Sequence, residues 1–193
     1  MKKKYNLHLK ISKKIPLFLI YTLLSCGSSH QEVSKPESGP KVNVKAPIQE
    51  HSIKAVLWQQ LSGEYRALSY QAFNLAKIQL DRILNENNYE NKPLAIVADI
   101  DETILDNSPF FAKAVELDEG FSKQKWIDWG LKKKASAVPG SLEFLSYAAS
   151  KNVEVFYISN RYLSQLYVTV ENLQKIGFPN ANNAHVFLKG SIS

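Results

Sequence analysis

Two kinds of apolar spacing divide the chain. From Ile48 to Asn85, Leu57, Leu61, Tyr65, Leu68, Ala72, Ala76, Leu80 and Ile83 recur at steps of three and four, the period of one helix face. Gly63 weakens that pattern by ~1 kcal/mol relative to alanine and is the candidate break between two helices. After the polar loop "NENNYENKP" the period disappears, and Leu94 to Ala98 form a short continuous apolar run of the kind buried in a parallel sheet. Residues 103–139 are aromatic, with Phe110, Phe111, Phe121, Trp126 and Trp129, and read as irregular. Pro139-Gly140 signals a turn, and "SLEFLSYAAS" reads as a helix with Ser141 as its N-cap. A second buried strand, "VEVFYI" (153–158), ends at "SNR". A helix then runs to about Ile176, with Gly177 as its C-terminal cap, and "HVFL" (185–188) reads as a third strand. Strand, crossover, strand, crossover, strand specifies an α/β domain, expected in three layers around a parallel sheet flanked by helices.

The chain before Ile48 follows another logic. "MKKKYNLHLKISKKIPLFLIYTLLSC" opens on lysines and continues into an apolar run, Ile15 to Leu24, shorter than the roughly 20 residues of a membrane span. That is the layout of a bacterial secretory signal over residues 1–25. "LLSC" resembles a lipobox, which makes Cys26 the expected lipidation site; an ordinary cleaved signal with a chance cysteine, or an uncleaved anchor, are the other readings. Residues 26–47 are rich in Ser, Pro, Gly and Lys and read as a flexible tether, leaving 48–193 as the folded domain.

The formal charge of +6 comes from this leader: without its six lysines, 18 of the 24 basic residues face 18 acidic ones. No case for binding a nucleic-acid polymer remains. Cys26 is the one cysteine, so no disulfide forms within the chain. His8, His30, His51 and His185 are too scattered for a zinc cluster. The glycines form neither a dinucleotide fingerprint nor a P-loop.

The first core strand ends on three acids, "ADIDE", Asp99, Asp101 and Glu102. In parallel α/β sheets ligands bind beyond the carboxyl ends of the strands, and Ser159, Asn160 and Arg161 lie at the end of the second strand. Two nearby carboxylates need a cation or a shared proton, and oxygen ligands of this kind suit Mg²⁺, with Asp99 and Asp101 as its candidate ligands. Asp99 is the candidate nucleophile toward a phosphoryl group, and Asp101 the candidate general acid/base. Ser159, Asn160 and Arg161 are candidate donors to phosphoryl oxygens. The aromatic residues of 103–139 either cap this site and stack on a base or aryl group, or fill a core. Lys132–Lys134 is either a solvated face or a phosphate funnel.

"DIDET" resembles the first motif of the haloacid dehalogenase-like superfamily. Taken with "QLSGEYRALSYQAFNLA" (60–76), "ADIDETILDNSPF" (98–110), Trp126 and Trp129, "AVPGSLEFLSYAA" (137–149) and "VFYISNRY" (155–162), the chain resembles class C acid phosphatases, bacterial lipoprotein 5′-nucleotidases. The resemblance implies a Rossmann-like fold with a cap-like insertion at about 103–139. It also implies Mg²⁺-dependent phosphomonoesterase activity through an aspartyl-phosphate, with nucleoside monophosphates or aryl phosphates as substrates. Asp99 matches the nucleophile, Asp101 the acid/base and, through its backbone carbonyl, a metal ligand, and Ser159 the second-motif phosphate ligand. The expected place is the bacterial cell envelope, lipid-anchored to the outer membrane.

The family pattern further implies a third-motif lysine and a fourth-motif acidic pair after another strand. Nothing after Lys189 is acidic, so a C-terminal truncation that removes the last core strand is expected, with weak or no turnover from these 193 residues alone. The alternative function is then an inactive surface lipoprotein that retains phosphate or metal binding.

Overall fold

A computed structural model describes residues 47–86 and 92–190. The leader, Cys26 and all of the tether but Pro47 lie outside the described residues, as do 87–91 of the polar loop. No helix among the described residues is long and apolar enough to cross a membrane.

The N-terminal segment forms two helices, α1 (Glu50–Leu61) and α2 (Gly63–Glu86). The break falls at Ser62, whose extended backbone (ψ 127°) leaves α1 and whose Oγ accepts from the Glu64 and Tyr65 amides at the start of α2. Gly63 is the first residue of α2, and the stop is serine capping rather than glycine entropy. The inward face is only partly the expected one: Leu80 is buried and Tyr65 and Ala76 are half-buried. Leu57, Leu61, Leu68 and Ile83 are exposed, and α2 packs on a later helix through Phe73, Leu80 and Leu84. Apolar residues cover neighbouring faces of α2, so spacing alone does not choose between them.

The main sheet holds β1 (Ala95–Asp99), β4 (Glu154–Tyr162) and β5 (Val186–Lys189), all parallel, in the order β1-β4-β5. A two-stranded antiparallel ribbon pairs β2 (Leu105–Asp106) with β3 (Ser136–Ala137). Between them, residues 108–132 are not irregular. They form α3 (Ser108–Glu116) and α4 (Lys123–Lys132), the first opened by Pro109 and the second capped by Ser122. Helix α5 (Ser141–Ser150) follows, with Gly140 at its N-cap rather than Ser141. The Ser141 hydroxyl instead donates to the Val138 carbonyl at 2.7 Å. Gly140 has φ 88°, and a Cβ there would approach Tyr70 and Phe73 of α2 to 3.1–3.2 Å. Glycine therefore supplies both the left-handed conformation and the α2–α5 approach. Helix α6 (Leu166–Ile176) ends, as expected, at Gly177 with φ 98°.

β4 runs on through "SNR" and does not stop before it, because a register shift against β5 between Ser159 and Tyr162 lets the strand continue past its last regular pair. Val155, Tyr157, Val186 and Leu188 pack with Leu145 of α5 and Val170 and Leu173 of α6 to form the core. The opposite sheet face is open: Val97 is 63% and Ile158 45% exposed. Among the described residues the helices thus cover one face, where three layers were expected.

Candidate active site

The loop after β1 is set by one carbonyl. Ile100 O accepts from the amides of both Ile104 and Leu105, at 3.0 and 2.9 Å, which closes residues 100–105 into a tight turn. Glu102 takes the left-handed conformation (φ 58°) that this closure demands, a cost non-glycine residues carry mostly where function holds them there. Ile100 is fully buried and anchors the turn between the two aspartates.

Asp101 lies at the centre of a hydrogen-bond cluster. Its Oδ1 accepts from Arg161 Nη2 at 2.7 Å, Asn107 Nδ2 at 2.9 Å and Arg161 Nε at 3.0 Å; its Oδ2 accepts from Ser159 Oγ at 2.8 Å and, more weakly, from Arg161 Nε at 3.1 Å. The Arg161 side chain is 3% exposed and that of Asp101 21%. Arg161 Nη1 donates to Thr169 Oγ1 on α6 at 3.1 Å, and the guanidinium lies 5.6 Å from the Trp126 ring centroid. A buried pair of this kind holds only when nearly every donor is used, and here Nε, Nη1 and Nη2 are all engaged. Arg161, expected to reach phosphoryl oxygens, is instead committed to Asp101. Ser159 is spent partly in the same way.

Asn107, which sequence spacing did not single out, joins this cluster to the aromatic segment. It is fully buried and receives Trp129 Nε1 on its Oδ1 at 2.8 Å. Its amide and Nδ2 donate to the two oxygens of Glu102 at 2.8 and 3.3 Å. Asn107 sits at the N-cap of α3 without capping it; Asp106 Oδ1 receives the Ser108 amide in its place. The legible signal was "DNSP", which marks a helix start but not where the amide points. Partial desolvation raises the Glu102 carboxyl above its ordinary range, Asn107 opposes this, and the charges of Asp101 and Asp106 add to it. From the N-terminal helices, Gln59 Nε2 donates to Asp106 at 2.9 Å. Tyr65 has its hydroxyl pKa raised by burial and then by Asp106.

Asp99 differs. It is exposed at the tip of β1, beside Ile158 in the ladder, and its Oδ2 accepts from Thr103 Oγ1 at 2.7 Å. Among the described residues its second oxygen accepts no hydrogen bond. Asn160 is exposed and takes no part in the cluster.

The donor set fits a magnesium ion only in part. Mg²⁺ keeps several waters and needs few protein oxygens, which Asp99 and the Asp101 carbonyl can supply. The Asp101 carboxylate, expected as a ligand, is taken by Arg161. Among the described residues no group of three or more His, Cys, Asp or Glu side chains is placed to hold a metal.

The aromatic residues pack chiefly on one another. Phe110 lies 5.1 Å from Trp126 and 5.3 Å from Phe111, edge to face. Among the described residues Trp126 is the ring that lies beside the Arg161 guanidinium, and it too packs on Phe110, Phe111 and Phe121.

Comparison with known proteins agrees with this geometry. Residues 15–192 match the family described as HAD superfamily, subfamily IIIB (acid phosphatase). The chain is 28% identical over 120 residues to the stem 31 kDa glycoprotein of Glycine max and 27% identical over 126 residues to acid phosphatase 1 of Solanum lycopersicum. These matches cover 62% and 60% of this chain but 44% and 48% of those proteins. The class C acid phosphatase of Bacillus anthracis superimposes with a TM-score of 0.70 at 43% identity, over 74% of this chain and 59% of that one. Its tungstate-bound structure gives 0.68 at 44% identity, over 72% and 57%. The chain therefore spans less than half the length of these curated relatives and under three-fifths of these structures.

Proposed function

The chain belongs to the acid phosphatases of HAD superfamily subfamily IIIB, and from that membership we propose that it is a phosphomonoesterase acting through Asp99. The observation that carries the reading is the contrast at the strand ends: an exposed Asp99 with a free carboxylate oxygen, two residues from an Asp101 held in fixed orientation by β4.

An Asp99 oxygen attacks phosphorus while the ester P–O bond breaks and its electron pair leaves with the alcohol oxygen, which takes a proton from Asp101. Water then attacks the aspartyl-phosphate, gives its proton to Asp101 and releases phosphate with Asp99 regenerated. Asp101 Oδ2, the oxygen less occupied by Arg161, carries the proton in both halves. Ser159 and Arg161 act by holding Asp101, and Ser159 Oγ is the group of that pair nearest to open solvent. Asp99 and the Asp101 carbonyl would be this chain's donors to Mg²⁺, which would supply charge neutralisation at the phosphoryl oxygens.

Nucleoside monophosphates and aryl phosphates suit the site through Trp126, the half-buried ring beside Arg161. Export follows from the leader, and attachment to the envelope from Cys26; fatty-acid labelling that persists in Cys26→Ser removes that assignment.

Release of phosphate from 4-nitrophenyl phosphate, with Mg²⁺ or with a chelator, tests the reaction. Weak Mg²⁺-dependent turnover that falls to background in Asp99→Asn is expected. The partial metal shell favours a second reading, a binding protein without turnover. Tungstate binding lost in Asp99→Asn, with no hydrolysis by the parent chain, would establish it.

A further inference from the structure

The lysine run at 132–134 is divided by the end of α4. Lys133 takes a left-handed conformation (φ 50°, ψ 46°) as the C-cap and pairs with Glu171 at 3.0 Å. Its neighbours Lys132 and Lys134 instead border a cavity of about 470 Å³ formed by α3 and α4, in the size range of small-molecule sites. Phe110, Ala114, Leu117 and Trp129 give it an apolar wall. Two further lysines at the rim are already committed, Lys113 to Glu116 and Lys125 to Glu119. Asp128, also at the rim, accepts from Gln124 Nε2. Lys132 and Lys134 have no ion-pair partner among the described residues. None of Asp99, Asp101, Ser159 or Arg161 borders the cavity.

We propose that this cavity binds a medium-chain carboxylate, its alkyl body against Phe110, Leu117 and Trp129 and its head between Lys132 and Lys134. The apolar wall selects a body that gains by leaving water. The two uncommitted ammonium groups select an anion, and as point charges they need no planar, forked partner. The carboxylates of Glu119 and Asp128 at the same rim disfavour a dianion, which leaves a singly charged head. The assignment is independent of any phosphatase activity.

The test uses the full chain, with Trp129 in the wall as reporter. Tryptophan emission is titrated with decanoate and with decyltrimethylammonium, each below its micelle-forming concentration, and calorimetry gives the stoichiometry. Saturable one-to-one decanoate binding is expected, with the cation about tenfold weaker or worse. The exposed double variant Lys132→Gln/Lys134→Gln should weaken decanoate about tenfold, as loss of two partly solvated charge contacts predicts, with thermal stability unchanged. Ala114→Phe, which fills the cavity, should abolish binding. Equal binding of anion and cation, or a double variant that binds as the parent does, would overturn the proposal, even if Ala114→Phe does not fold.

Discussion

Asp99 and Asp101 stand two residues apart in one loop, yet their surroundings have little in common. Asp101 receives bonds from Ser159 and Arg161 on β4 and from Asn107 at the head of α3. Asp99 is held by Thr103 from its own loop. The same divide runs through the sheet, where Val155 and Tyr157 are fully buried while Val97 and Ile158 on the other face are exposed. A carboxylate gripped by several donors is aimed and slow to move, and only its less occupied oxygen can carry a proton along that fixed direction. One with an open oxygen can approach an electrophile. Two identical side chains thus receive different surroundings from the number of elements that grip them, and the proposed mechanism gives them different roles.

The gripped side should show the largest energetic response. Arg161→Met removes the cation from a buried pair and leaves Asp101 with Ser159 and Asn107 alone. Losing one partner of such a pair costs about 3 kcal/mol, the low end being apt because Asp101 is partly solvated. Denaturant midpoints would read it, and a loss below about 1 kcal/mol would erase the distinction between the two aspartates. Arg161→Lys should recover part of the loss, since one ammonium cannot reproduce donation by both Nε and Nη2.

Next in size is Asn107→Ala. It strands the buried Trp129 Nε1 and removes one donor from Asp101, a change worth about 1–3 kcal/mol. Thermal unfolding measures the cost, and tryptophan emission should shift as the indole loses its acceptor. Stability within about 0.5 kcal/mol of the parent would mean the aromatic segment and Asp101 are not joined through this amide.

These two residues also show where sequence reading stops. The three strands were legible because continuous apolar runs bounded by polar clusters have few other uses, and Gly177 marked the end of α6 correctly. Asp101, Ser159 and Arg161 were rightly brought to one edge, since parallel strands put their carboxyl ends together. What spacing could not say is which way a guanidinium donates, and Arg161 donates to the protein. Helices α3 and α4 were hidden by their aromatic content, although Pro109 and the Ser122 cap were readable signals. On α2 several faces carry apolar residues, and only α5 with Gly140 decides which one turns inward.

Glu102 bridges the two regions, and its test is a slope. The folded protein binds the Glu102 proton more tightly than the unfolded chain does, because desolvation raises its pKa. Its contribution to stability is therefore largest below the ordinary carboxyl range and declines as pH rises through the raised value. In Glu102→Gln this decline should be absent, while the bond from the Asn107 amide has an oxygen to accept it. Melting temperatures of parent and variant across mildly acidic pH give the comparison; parallel curves would remove Glu102 from the cluster's electrostatics.

The smallest structural effect is expected where the chemical effect is greatest. Asp99→Asn keeps an oxygen for the Thr103 hydroxyl and alters an exposed side chain, so stability should stay within about 0.5 kcal/mol of the parent. Val97→Thr, on the open face of the same strand, should be equally quiet, because a 63% exposed valine has little burial to lose. If either change costs several kcal/mol, something covers that face in solution, and Asp99 is not the open partner its geometry describes. If both are quiet while Asp99→Asn abolishes phosphate release or tungstate binding, stability and reactivity are divided between Asp101 and Asp99. The nucleophile is then the residue the fold depends on least, which is why it remains free to react.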